Sequence, residues 1–369
     1  MGLYSDYTFA DNRGIKLGSP MKRKFLTAVI AFAFASFLST SAFAWVYIDP
    51  GTTGLDISSL TDVIYNIDKL VSSNFKNYPA AFAMANVGGY PIGDAYIGNF
   101  PHMFFGVSAA IGCSNMKYWD EDVPREKSVY PAYAPNPVIY MGFGISKGVD
   151  IMFKIMLFSD AMYRPPLNQK SATLDKFNVY SGGGKLRWNA IPKKTILPFI
   201  FGFGGFTLSA GADFMDGIMS INGQYKYTMA GISVPSPPAP AAGNYTLALD
   251  AYYNFSMKYA MLSANAQAIV YFNLFWLFDI YTGFGMAMTW GYNSLDASGV
   301  GLAAIPSLGT SLGMVMAFAR YKYYPRGFMG LYIAGLEINI WVLKITAETM
   351  VNISNGKDIN LQLGTRLQF

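Results

Sequence analysis

The chain has 369 residues, of which 52% are hydrophobic, 16% aromatic and only 13% charged, against roughly 25% charged in soluble domains; this excludes a disordered polypeptide. Residues 1–44 hold five basic and two acidic side chains, so the formal net charge of +5 falls to +2 from Trp45 onward, and no basic stripe is left to bind nucleic acid. One Cys (Cys113) and one His (His102) exclude an internal disulfide framework and a Cys-rich metal centre.

Residues 1–20 are polar and read as a dispensable leader before Met21. Met21 opens Lys22-Arg23-Lys24, an apolar run from Phe25 through Leu38, and a small-residue site at Ala42 and Ala44. This pattern predicts a secretory signal peptide over 21–44 and a mature chain starting at Trp45. After Ala44 every apolar stretch is broken well before the ~18 residues that a spanning helix requires. Over 61–75, Val63, Ile64, Ile67, Leu70, Val71 and Phe75 recur at helical spacing behind Thr61 as a cap, predicting one amphipathic helix. An amphipathic helix of about fifteen residues is marginal alone in water, so Ile64, Ile67 and Val71 are the face expected to plug a lumen. Residues 77–101, rich in Gly and Pro, are predicted to be ordered but irregular. Together 45–101 form an N-terminal helix and plug segment ahead of all strands.

From His102 onward the apolar period becomes two. Ile139, Met141, Phe143 and Ile145 oppose Val138, Tyr140, Gly142 and Gly144; after Lys147-Gly148, Ile151, Phe153 and Ile155 oppose Met152, Lys154 and Met156, which predicts a hairpin. Thirteen such segments are counted over 102–369, and single-chain bacterial barrels carry an even number. The prediction is an all-β, transmembrane antiparallel β-barrel of about 12 strands, within a range of 10 to 14, with a short N-terminal helical plug. The segments 214–227, beside a Pro-rich loop, and 312–323, read as an extension beyond the membrane, are the candidates to drop. The connections 119–135, 160–175, 230–243 and 291–311 are read as outer loops.

The chain ends in an alternating run of Leu361, Leu363, Leu367 and Phe369. This resembles the terminal strand that the barrel assembly machinery reads in bacterial outer-membrane proteins, with Leu367 and Phe369 at the recognised apolar positions. Ile97-Gly98-Asn99-Phe100-Pro101-His102, leading into the first strand, resembles spirochaete-type outer-membrane barrels. A helix and irregular segment ahead of the barrel is loosely similar to the long-chain fatty-acid transporter family, whose N-terminal hatch carries an Asn-Pro-Ala motif; Asn77-Tyr78-Pro79-Ala80 is the nearest match, with Tyr78 intervening. The resemblance implies the bacterial outer membrane as location, with its lipids and the assembly machinery as partners.

No catalytic, cofactor-binding or metal-ligating residue is expected, and no cofactor. His102, flanked by Pro101 and Met103, has no Ser or Asp pattern around it that marks a nucleophile and reads as an interfacial or plug-packing side chain. Cys113 reads as a small strand residue. Asp120, Glu121, Asp122 and Glu126 lack the EF-hand spacing and read as a solvated loop. Ser181-Gly182-Gly183-Gly184-Lys185 continues into Leu186 rather than a helix, so it is no phosphate loop; its glycines bend the wall or make room for the plug. The candidate lumen residues are Tyr140, Met152, Lys154, Phe158, Asp279 and Tyr281. With few charges among such positions, where an aqueous ion pore places charged rings, the expected function is a channel or transporter for hydrophobic small molecules, gated by the plug. The alternative is a surface adhesin or structural barrel without transport; an enzyme is not expected. The processing step is testable directly: mass spectrometry of outer-membrane material is expected to find Trp45-Val46-Tyr47 at the N-terminus, and an intact 21–44 would overturn the signal-peptide reading.

Overall fold

The alternation becomes one antiparallel sheet. The computed structural model describes residues 45–48, 75–115, 131–160, 172–233, 244–305, 310–325 and 327–369. The strands are β1 (Trp45–Ile48), β2 (Met103–Ser114), β3 (Ala132–Ser146), β4 (Val149–Ser159), β5 (Ala172–Ile191), β6 (Lys194–Leu197), β7 (Phe201–Ser233), β8 (Asn244–Leu274), β9 (Phe278–Ile305), β10 (Thr310–Tyr323), β11 (Phe328–Ile340), β12 (Leu343–Asn352) and β13 (Ile359–Gln368). A hydrogen-bonded circuit runs β2-β3-β4-β5-β7-β8-β9-β11-β12-β13 and returns to β2. Closure leaves no edge in that circuit.

Thirteen strands lie in the sheet, and ten of them make the closed circuit among the described residues. The segments 197–209, from Phe201 onward, and 214–227 both lie in β7, of 33 residues, and 245–258 and 262–272 both lie in β8, of 31 residues. Period counting splits such strands wherever a small residue interrupts the apolar face. As expected, β10 lies outside the circuit: it pairs with β9 from Asn293 to Ile305, while β11 pairs with the other part of the same edge from Phe278 to Met288. The expected loop 291–311 is therefore largely strand. At about 3.3 Å per residue, β7 runs about 100 Å along its own path, far more than the ~30 Å hydrocarbon layer needs.

Polarity decides where the membrane lies. Tight turns at 147–148, 198–200, 275–277 and 341–342 share one end, which the rule for such barrels assigns to the periplasm. From there to the level of Trp290 the outward side chains are apolar and exposed, including Phe214, Leu262, Phe284, Met286 and Met288. Beyond it the faces exchange character. Outward positions become Lys258, Asn254, Ser294 and Asp296, with Tyr252, Val300, Leu302, Met316 and Phe318 also exposed farther up, while inward Phe255, Met257, Leu295 and Tyr321 are buried. The lower half is a membrane wall and the upper half a water-exposed sheet with an apolar inside.

The interior is filled by the chain itself. A ten-residue helix, α1 (Tyr78–Val87), contacts β2, β3, β7, β8, β9 and β13, and residues 88–101 continue down the lumen to the start of β2. This corrects the irregular reading of 77–101 for residues 78–87, while 88–101 are ordered but irregular as expected. Pro79 is tolerated in the first turn, Ala80, Ala81, Ala83 and Ala85 favour helix, and Gly88 with Gly89 (φ +99°) ends it. No amphipathic period marks α1 because it is buried on every side: Ala81, Ala83, Met84, Ala85 and Val87 are all buried. The predicted helix 61–75, except Phe75, lies outside the described residues, as do Ile64, Ile67, Val71, the signal peptide and the acidic loop at 120–126.

Close approach of α1 to the wall requires glycine at 112. A Cβ there would lie 2.6 Å from the Ala85 amide nitrogen and 3.0 Å from the Ala81 carbonyl carbon, both backbone atoms that cannot move aside. Gly112→Val is expected to lower stability by roughly 1–3 kcal/mol in guanidinium titrations of detergent-solubilised protein. Gly327→Ala, where a Cβ meets nothing within 4 Å, is the matched control and is expected to be neutral.

Candidate functional site in the barrel lumen

An α-helix leaves its last four carbonyls without intrahelical partners, and a buried helix end must find donors elsewhere. In this lumen the wall supplies them. Asn360 on β13 donates to the Met84 carbonyl at 2.7 Å, Asn136 on β3 to Ala85 at 3.0 Å, and Lys154 on β4 to Asn86 and Gly88. The lysine ammonium thus sits at the negative end of the helix dipole. It is fully buried and pairs with Asp213 of β7 at 3.0 Å.

Asp213 is itself saturated. Its Oδ1 accepts the Tyr90 hydroxyl at 2.8 Å and its Oδ2 accepts Asn265 Nδ2 at 2.7 Å. Lys154 and Lys185 lie 4.7 Å from the centre of the Tyr90 ring, a cation–π arrangement. The Ser181–Lys185 glycine run explains the fit: at Gly183 a Cβ would come within 2.6 Å of the Tyr90 hydroxyl. Room for the internal segment, one of the two expected uses of these glycines, is what Gly183 provides.

Two bidentate ion pairs fasten the lower part of the segment. Arg187 on β5 grips Asp150 on β4 at 2.7 and 2.8 Å, donates to the Asp94 carbonyl at 3.0 Å, and Asp150 accepts the Ile97 amide at 3.2 Å. Arg366 on β13 grips Glu337 on β11, reaches the Asp94 carboxylate at 3.1 Å, and Glu337 accepts the Gly93 amide at 2.8 Å. Such forks fix geometry as well as charge. Asp94, Asp279 and Glu337 bring carboxylate oxygens within 4.8 Å of one another, and Arg366 with Lys344, 4.0 Å from Asp94, supplies the balancing positive charge.

Among the candidate lumen residues, Tyr140, Met152, Lys154, Asp279 and Tyr281 are buried and face inward, whereas Phe158 is half-buried near the outer end against Phe177. Tyr140 and Met152 pack with Tyr90, Ile92 and Ile97 of the segment; Tyr281 donates to Glu348 at 2.7 Å and Asn339 donates to Asp279 at 2.6 Å. The expectation of a lumen poor in charge is corrected at membrane level. Asp150, Lys185, Arg187, Asp213 and Glu337 are buried there too. Their signal was parity: Asp150 shares the face of Met152 and Lys154, and Arg187 that of Lys185. His102 is exposed, its Nδ1 2.6 Å from the Asn99 carbonyl oxygen, and Cys113 is buried in β2.

A closed antiparallel ring with an apolar belt outside and a buried, hydrogen-bonded segment inside defines an outer-membrane β-barrel. Within that class the chain belongs to the Lsa36-like family, whose model matches residues 57–369. No curated protein sequence matches it. Among solved structures it is similar to the translocator domain of the autotransporter NalP from Neisseria meningitidis, at 9% identity and a TM-score of 0.28, over 79% of this chain and 93% of that one. It is also similar to the toluene transporters TbuX of Ralstonia pickettii, at 9% identity and TM-score 0.22, and TodX of P. putida, at 8% and 0.25, each over 80% of this chain and 99% of the other.

Breaking a buried pair by removing one partner costs about 3–5 kcal/mol. Lys154→Met is expected to destabilise the barrel by that order, because Asp213 and two carbonyls lose their donor. Lys154→Met/Asp213→Asn is expected to regain part of the loss, measured by the same guanidinium titration.

Proposed function

We propose that the protein is a passive outer-membrane channel for hydrophobic small molecules, closed at rest by the internal segment 75–101. The observation that carries this reading is the exchange of polarity along the strands. Above the membrane, where a sheet surrounded by water has no need of it, the inward face is apolar: Tyr259 stacks on Phe82 with ring centres 4.0 Å apart, and Phe75 meets Tyr321 and Tyr323 at 6.5 and 5.8 Å. An apolar solute leaves water favourably on such a surface.

The charged layer below opposes its direct descent, since burying an apolar solute among desolvated ion pairs separates them. Two exits are compatible with this. One is displacement of the segment toward the periplasm; the other is lateral, where β9 changes partner from β11 at Met288 to β10 at Asn293. No step requires a cofactor.

A second reading, a surface adhesin or structural barrel without transport, is favoured by the tightness of the filled lumen. Vesicles separate the two. With a transporter, a fatty acid is expected to equilibrate faster into protein-containing vesicles than into protein-free ones, whereas sugars are not. Replacing Asn136 and Asn360 together with Ala, which loosens the helix end, is expected to raise planar-bilayer conductance. Unchanged fatty-acid flux in both wild type and variant would leave the adhesin or structural reading.

A further inference from the structure

On the outer face of the water-exposed half of the sheet, β5, β7, β8 and β9 form an open groove of about 630 Å³. Its walls include Thr173, Asn222, Gln224, Tyr252, Asn254 and Ser298, with Val300 at one end. Register places these side by side: Asn222, Asn254 and Ser298 are one cross-strand row, and Gln224, Tyr252 and Val300 the next but one. None of the lining residues carries a formal charge.

The groove has its own internal order. Asn254 donates to Asn222 Oδ1 at 2.6 Å, and Gln224 Nε2 donates to Asp250 at 2.8 Å and to the Tyr252 hydroxyl at 3.4 Å. The Tyr252 hydroxyl is thus tethered while the residue stays 61% exposed. The Tyr252 ring is therefore an apolar face held in place beside amides and hydroxyls.

We infer that this groove binds a neutral saccharide. Amide and hydroxyl side chains each offer donor and acceptor together, which matches the paired donor and acceptor character of sugar hydroxyls. An exposed aromatic ring provides a platform for the apolar C–H face of a pyranose. A phosphate or carboxylate ligand would find no cation in the lining, and a wholly apolar solute would leave the lining's amides and hydroxyls without partners. The height fits as well. Tyr252 stands on β8 ten residues beyond Leu262, the partner of Trp290, about 33 Å of strand above the lipid boundary at ~3.3 Å per residue, at the level where sugars of glycolipids and soluble glycans meet the cell surface. This site lies on the outside of the wall and is independent of the lumen.

The test uses the full chain and two probes. In detergent micelles, calorimetric titration with a panel of soluble neutral oligosaccharides is expected to show saturable binding that weakens at least tenfold in Tyr252→Ala and severalfold in Asn222→Ala, and survives in Tyr252→Phe. In vesicles prepared with and without lipopolysaccharide, a Ser298→Cys variant is expected to react more slowly with a water-soluble maleimide when lipopolysaccharide is present, if the sugar comes from the same leaflet. Heat-modifiable gel mobility verifies that each variant is folded. A response in either arm that depends on Tyr252 supports the site and identifies the source of the sugar. Silence in both arms, or binding untouched by Tyr252→Ala, overturns it.

Discussion

The C-terminal end of α1 is the constraint around which the barrel is arranged. A helix buried inside a ring presents carbonyls that must be met by donors from the wall, and the donors come from three strands: Asn136, Lys154 and Asn360. A lysine used this way needs a counter-charge, hence Asp213 in the same cross-strand row, with Gly183 between the two; Asp213 in turn holds Tyr90, which needs the space left at Gly183. Each element of the lumen follows from the one before. The ion pairs at Arg187 and Arg366 repeat the arrangement lower down, binding backbone groups of residues 93–97 as well as their own partners.

Such buried charges add little net stability compared with an apolar filling of the same shape, yet they penalise any register in which a partner is lost. In this chain they tie the segment to strands β4, β5, β7, β11 and β13 at once. The internal path of the chain is therefore set by pairing together with the apolar contacts of Tyr90, Ile92 and Ile97. Above the membrane the opposite holds: Phe75, Phe82, Tyr259 and Leu295 pack the inside of the sheet with no charged pair among them. The difference follows from surroundings. In the lower half lipid takes the apolar side chains and leaves the polar ones to the lumen; in the upper half water takes Lys258, Asn254, Ser294 and Asp296.

Much of this was written in the alternation. Ile139, Phe153, Met286 and Leu363 face outward and Tyr140, Met152, Lys154, Asp279 and Tyr281 inward, because a strand's period of two assigns faces without knowledge of the neighbours. Asp150, Arg187, Asp213 and Glu337 obeyed the same parity and were legible in principle. Strand length was not, since a small residue on one face imitates a break, and so β7 and β8 each read as two.

Sequence alone therefore determined the class, the membrane-facing surface and most of the inward face, all of which depend on local period and composition. Tertiary structure alone decided that residues 78–87 are helical, since a helix buried on every side carries no periodic signal and is stabilised by wall side chains as much as 276 residues away. It also decided which inward charges pair, because partners such as Lys154 with Asp213, or Arg366 with Glu337, lie two strands apart and meet only when the strand between them is in register.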